Sequence, residues 1–119
     1  MKNFLHSIVP AVTPVIMAIA LLGFSQDVEA GNPARGQELA AQVCASCHGM
    51  DGNLVLADDY PKLGGQHADY LVFALKAYRS GDRDNAVMSP FARDLSDQDI
   101  RDLAAWFSRQ EGLTDIRVR

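Results

Sequence analysis

The sequence is short of most of what an enzyme or a nucleic-acid binder needs. It has two cysteines, three histidines and one tryptophan in 119 residues. Positive charge is scarce too: 11 Lys+Arg stand against 15 Asp+Glu, for a net charge of −4. That acidic balance excludes non-specific binding to nucleic-acid phosphate, which needs a basic surface. No carboxylate pair, Ser/His/Asp set or glycine-rich phosphate loop occurs, so hydrolytic chemistry has no candidate residues. No segment sustains an alternation of apolar and polar residues, so no strand is expected. The length suits one small domain and excludes a two-domain enzyme with a separate cofactor unit.

What the chain does have is unevenly spread. The hydrophobic fraction of 48% excludes a disordered chain, and the first thirty residues are richer in apolar side chains than the rest. Residues 1–7 are short and slightly basic, Ile8 to Phe24 form an uncharged apolar run, and Val28-Glu29-Ala30 follows. This is the layout of a secretory signal peptide over residues 1–30, cleaved after Ala30, ahead of a domain over residues 31–119. The alternative is an uncleaved anchor, although Pro10 and Pro14 would disrupt its first turns. Only an anchor would tie the protein to a membrane. The expected location is the periplasm.

The remaining chain predicts an all-α domain of three main helices and two long loops. Asn32-Pro33 reads as an N-cap followed by proline at the first helical position. The helix that follows has Leu39, Ala40 and Val43 on one face and delivers Cys44 at its end. Residues 49–66 are dense in Gly, Asp and Pro and read as a loop. From His67 to Ser80, Ala68, Leu71, Val72, Leu75 and Tyr78 recur at helical spacing, and Gly81 stops the run. Gly81 to Leu95 reads as a second irregular stretch. Ser96 and Asp99 then form a capping-box pattern before a helix that stacks Ile100, Leu103, Ala104 and Phe107. Asp97, Asp99 and Asp102 suit the dipole of that helix and call for no other role. Two long loops in so short a domain need something to pack against.

The two cysteines supply it. They stand together as Cys44-Ala45-Ser46-Cys47-His48, the C-x-x-C-H attachment site of a c-type haem. Two residues between the thiols let both reach vinyl groups on one edge of the porphyrin, and His48 then lies under the iron. A disulfide between Cys44 and Cys47 would close a tiny loop and stabilise little. A thioredoxin-like pair wants a strand before it. A zinc site would need a fourth ligand, and only His67 remains beyond the signal segment. The other axial ligand must come from Met50, Met88 or His67. Met50 is too close to His48 to reach the far face, and His67 opens a helix. Met88 sits in the irregular segment that can fold over the ring, so Met88 is the expected ligand. A histidine there would lower the potential, whereas Met/His ligation raises it.

These strings resemble the bacterial class I cytochromes c. The likeness covers residues 33–111 and runs through CASCHGMDGN, YPKLGGQHADYL and YRSGDRDNAVMSPFARDLSDQDIRDLAAWFS. It is similar to one domain of the periplasmic c-four type, although such proteins usually carry two domains and two haems. The resemblance implies a class I cytochrome c fold, with the Pro61 carbonyl accepting from the Nδ1–H of His48. It also implies Leu63 in the haem pocket, Met88 as sixth ligand, and Gly36 against Trp106 where the first and last helices cross. Arg79 or Arg83 is the candidate partner of a haem propionate.

The expected function is that of a carrier, not an enzyme, moving one electron between periplasmic or membrane-bound redox proteins. The alternative is the electron-accepting subunit of a periplasmic dehydrogenase complex. Residues 31–119 hold ten basic and thirteen acidic side chains, and two haem propionates would add to the negative charge. A partner with a basic docking patch is therefore expected. So small a domain without its haem is expected to be largely unfolded.

Overall fold

Residues 30–112 are described by a computed structural model, and every regular element among them is helical. The expected signal peptide, apart from Ala30, and the tail after Gly112 lie outside the described residues. No helix among the described residues is long and apolar enough to cross a membrane.

Asn32 caps the first helix, α1 (Pro33–Leu39), its side chain accepting from the backbone of Ala34 at 3.0 Å and Arg35 at 3.3 Å. The continuous helix expected up to Cys44 is interrupted. Ala40–Cys44 forms a π turn, in which Ala45 N–H donates to the carbonyl five residues back, that of Ala40. A short α2 (Ala45–His48) follows and ends at Gly49, whose φ of 76° lies in the region that favours glycine.

The helix expected from His67 begins one residue later, as α3 (Ala68–Ser80), with His67 at its N-cap making no side-chain cap bond. Gly81 ends it with φ 87°, the left-handed turn that lets its N–H bond the Ala77 carbonyl. The stretch expected to be irregular up to Leu95 contains a further helix, α4 (Met88–Arg93). Asn85 starts it: its side-chain oxygen accepts from Val87 N at 2.9 Å and Met88 N at 2.8 Å. Pro90 falls in the first turn, where its missing N–H costs nothing. The last helix, α5 (Asp97–Phe107), opens on the expected capping box of Ser96 and Asp99.

α1 and α5 cross at Gly36. A Cβ there would lie 2.0 Å from the Asp102 carbonyl oxygen and 2.9 Å from Trp106 Cβ, so only glycine fits without separating the helices. Asp102 is fully buried at this crossing. It accepts from Asn32 N at 2.7 Å, Gln98 Nε2 at 2.7 Å and Arg35 Nη1 at 2.5 Å. Burial alone would raise its pKa, but these donors outweigh it and hold the carboxyl below its ordinary value. Asp102 therefore ties the start of α1 to α5, a role its place among the acidic residues near the start of α5 did not suggest. Asp97 is also engaged, by Arg79 at 2.5 Å and Lys76 at 3.3 Å from α3.

The core joins Ala40, Leu71, Leu103, Ala104 and Phe107, with Leu63 and Leu75 packed against it. The long loop after α2 is pinned to that core at both ends. The Gly52 carbonyl accepts from Leu63 N at 2.7 Å, Gly65 N–H donates to Phe107 O at 2.9 Å, and Trp106 Nε1 donates to Met50 O at 2.8 Å. The loop thus brings Pro61 and Leu63 back beside His48.

Candidate cofactor site

The helices and loops enclose a cavity of about 380 Å³, within the range of cofactor-sized pockets. Cys44, Cys47, His48, Pro61, Leu63 and Met88 all line it. Met50 and His67, the competing candidates for an axial ligand, do not. Three local devices deliver the expected site residues: the π turn and α2 bring Cys44, Cys47 and His48, the pinned loop brings Pro61 and Leu63, and the Asn85 cap brings Met88.

His48 is buried, at 3% exposure. Its Nδ1 lies 3.1 Å from the Pro61 carbonyl, which can only accept, so Nδ1 carries the proton and donates. Nε2 is then a bare lone pair, buried and without a hydrogen-bond partner. Burial pushes the imidazole pKa down, against the opposing pull of the Pro61 bond, so the ring is neutral at pH 7. A neutral, oriented imidazole with one uncommitted nitrogen is the form that binds a metal. An orphaned buried acceptor costs free energy that ligation would recover.

Cys44 and Cys47 are free and half-buried. Burial, with Cys47 close by, pushes the Cys44 thiol up to about 11. A thiol so rarely ionised at neutral pH is unlike the low-pKa cysteines of disulfide exchange. Among the described residues no cluster of three or more His, Cys, Asp or Glu side chains could hold a bare metal ion. Two thiols, one uncommitted imidazole nitrogen and an apolar cavity fit a haem bonded through the cysteines.

Two cavity residues escaped the sequence reading. Tyr60 stands edge-on to the His48 ring, with centroids 6.1 Å apart, and no sequence pattern marked it. Asn85 could have been found, because an Asn two or three residues before a helix is the signature of an Asx turn. Arg79 is absent from the cavity wall, where Arg83 is present.

The family model for cytochrome c matches residues 33–110. The chain is 48% identical over 85 residues to cytochrome c-554(548) of Halomonas halodenitrificans, a match covering 69% of this chain and all of that protein. It is 41% identical over 70 residues to a thiosulfate dehydrogenase electron acceptor of Stutzerimonas stutzeri, covering 59% of this chain and 32% of that one. Its fold superposes on reduced cytochrome c4 from Pseudomonas stutzeri with a TM-score of 0.64 and 40% identity, over 71% of this chain and 48% of that chain. The chain thus spans about half the length of the c4 structure.

Proposed function

The chain belongs to the cytochrome c family, as a single domain of the c4 type that binds haem c covalently, and from that premise we propose a periplasmic carrier of single electrons. Cys44 and Cys47 would bond its one haem, and His48 and Met88 would ligate the iron. When bound, haem c supplies reversible one-electron chemistry at iron. The protein supplies the rest. His48 binds through Nε2, and the Pro61 carbonyl fixes its tautomer and ring orientation through Nδ1. Met88 offers a neutral sulfur, which favours the reduced state relative to a second histidine. Were His48 and Met88 both to hold the iron, the chain itself would leave no position for oxygen or substrate, and the haem would supply electron transfer alone. Leu63, Leu71 and Phe107 keep water from the ring.

The partnerless, buried Nε2 of His48 carries this reading. A pyridine haemochrome assay on the purified protein tests it, with a two-thioether haem c spectrum expected. The oxidised protein should show a weak sulfur-to-iron band that vanishes in Met88→Ala. Ready binding of carbon monoxide at neutral pH would show an open sixth position and refute the carrier role.

Export rests on the composition of residues 1–30, and N-terminal sequencing of the mature protein beginning at Gly31 would bear it out. A second reading follows from the relative named as an electron acceptor of thiosulfate dehydrogenase. On it, this protein takes electrons directly from a periplasmic dehydrogenase as a subunit or dedicated acceptor. Co-purification at fixed stoichiometry favours that role; a lone monomer on a sizing column favours the free carrier.

A further inference from the structure

We infer that Arg83, seated on Tyr78 at the cavity wall, is the cationic anchor for one propionate of the haem, and that Arg79 is not. The inference rests on the haem c reading above and concerns the polar side of the same cavity. A haem brings two carboxylates into a pocket that is otherwise mostly apolar, and a carboxylate at such a wall needs a charge-assisted partner.

Two arginines of the YRSGDR segment compete for the role, and the structure separates them. Arg79 is already committed. Its Nη2 meets Asp97 at 2.5 Å and its Nη1 donates to the Leu95 carbonyl at 2.8 Å, and Arg79 itself does not line the cavity. Arg83 lines the cavity and makes no salt bridge among the described residues. Its guanidinium carbon lies 4.9 Å from the centroid of the Tyr78 ring, a cation–π contact that orients the planar group without consuming its charge.

The backbone of Arg83 is fixed as well. Its N–H donates to the Ala77 carbonyl at 3.0 Å, behind the turn at Gly81. Its carbonyl accepts from Ser89 Oγ at 3.5 Å, and the same hydroxyl accepts from Asn85 N at 3.1 Å. Ser89 follows Met88 directly, so one small hydrogen-bonded box holds both Arg83 and the proposed sixth ligand. Tyr70 and Tyr78 also raise the guanidinium pKa, keeping the charge permanent.

The other titratable groups on the cavity wall are Asp59, Tyr60 and Lys62 from the loop, Tyr70 and Tyr78 from α3, and Cys44, Cys47 and His48. Lys62 is the remaining cation there, but no ring or hydrogen bond of its side chain is seen to orient it among the described residues. The oriented fork of Arg83 suits a planar carboxylate better than a flexible ammonium does.

The test is the reduction potential of the holoprotein as a function of pH, in wild type, Arg83→Gln, Arg83→Lys and Arg79→Gln. A cation beside the haem disfavours the oxidised state, so Arg83→Gln should lower the potential at neutral pH. It should also move the bend that marks propionate titration upward by about 1–3 pH units, the effect of losing an opposite charge at contact. Arg79→Gln should leave both unchanged. An unmoved potential and bend in Arg83→Gln, or equal shifts in both glutamine variants, would overturn the assignment. Should Arg83→Gln fail to load haem, Arg83→Lys decides the matter. It keeps the charge, so it should restore haem loading with a bend at most slightly above that of wild type; a lysine variant that also fails to load haem, or whose bend rises by the full range of about 1–3 pH units, would overturn the assignment. A pyridine haemochrome spectrum taken on each variant separates this outcome from failure of the haem c reading. Wild type without two-thioether haem would sink that reading instead.

Discussion

Gly36→Ala should destabilise this protein more than any other single-methyl change in its helices. A methyl at this site would sit 2.0 Å from the Asp102 carbonyl oxygen and 2.6 Å from its carbon. Both are backbone atoms of α5, so no side chain can swing aside. The crossing must open by about 1 Å to reach tolerable contact, which for an overpacked site costs about 1–3 kcal/mol. Opening also stretches the 2.7 Å bond from Asn32 N to the buried Asp102 carboxylate; a hydrogen bond to a charged group is worth about 1.5–3 kcal/mol. Against this, alanine is favoured over glycine in a helix by about 1 kcal/mol. The balance is a loss of about 1.5–5 kcal/mol, which in a domain of this size lowers Tm by roughly 6 °C or more. Circular dichroism melts of the oxidised holoprotein measure it, with Gly81→Ala as control. At Gly81 an added Cβ meets nothing within 4 Å, but the φ of 87° remains. That variant should lose only about 1–2 kcal/mol, and Gly81→Asn less. A Gly36→Ala protein melting at or above wild type would refute the close crossing of α1 and α5.

The remaining predictions address the acid response, the sixth-ligand segment and the apoprotein. Asp102 is held below its ordinary pKa, so its contribution to stability is full above the unfolded value of about 3.9 and fades as pH falls through the lower folded one. Asp102→Asn should flatten the loss of stability in that acid window, seen in urea melts from pH 5 downward, while weakening the fold at pH 7. Asn85→Ala removes the side-chain acceptor of Val87 and Met88 N–H. It should cost about 1 kcal/mol, as a lost cap does, and weaken the sulfur-to-iron band; an unchanged band would show that Met88 is held by other means. The cavity of about 380 Å³ left without haem, at roughly 24 cal/mol per Å³, carries a penalty on the order of 9 kcal/mol. That matches the whole stability of an ordinary domain, so the Cys44→Ser/Cys47→Ser protein should show little helical circular dichroism unless the cavity collapses.

Local chemistry made much of this molecule legible from sequence. The Asn32-Pro33 start, the Gly81 stop and the Ser96/Asp99 box are signals written in adjacent residues, and all three stand where the pattern put them. The C-x-x-C-H string named the cofactor because every cysteine of the chain is in it. What sequence concealed was mostly long-range. Asp102 looks like one more acidic residue near a helix start, and only the crossing of α1 shows it buried under Arg35 and Asn32. Arg79 and Arg83 look alike in sequence, yet Asp97 claims one of them from eighteen residues away. α4 was hidden because Pro90 argues against a helix unless the start at Met88 is known.

The π turn shows why position along a helix was not enough to place the haem-binding residues. α1 is locked in rotation about its axis, because Gly36 must face Asp102 and Arg35 must reach it. On a straight helix that constraint would also fix the direction of Cys44 and His48, eight and twelve residues on. One wide turn holds one extra residue, which rotates everything after it by about 100°, a single residue's share of an α-helical turn. Cys44, Cys47 and His48 can then line the cavity while Gly36 keeps its contact. Ala40, Ala41, Gln42 and Val43 give no warning of this, since alanine and glutamine are good helix formers. The demand comes from both ends of the segment at once: a crossing that admits only glycine, and a cavity that must receive two thiols and an imidazole.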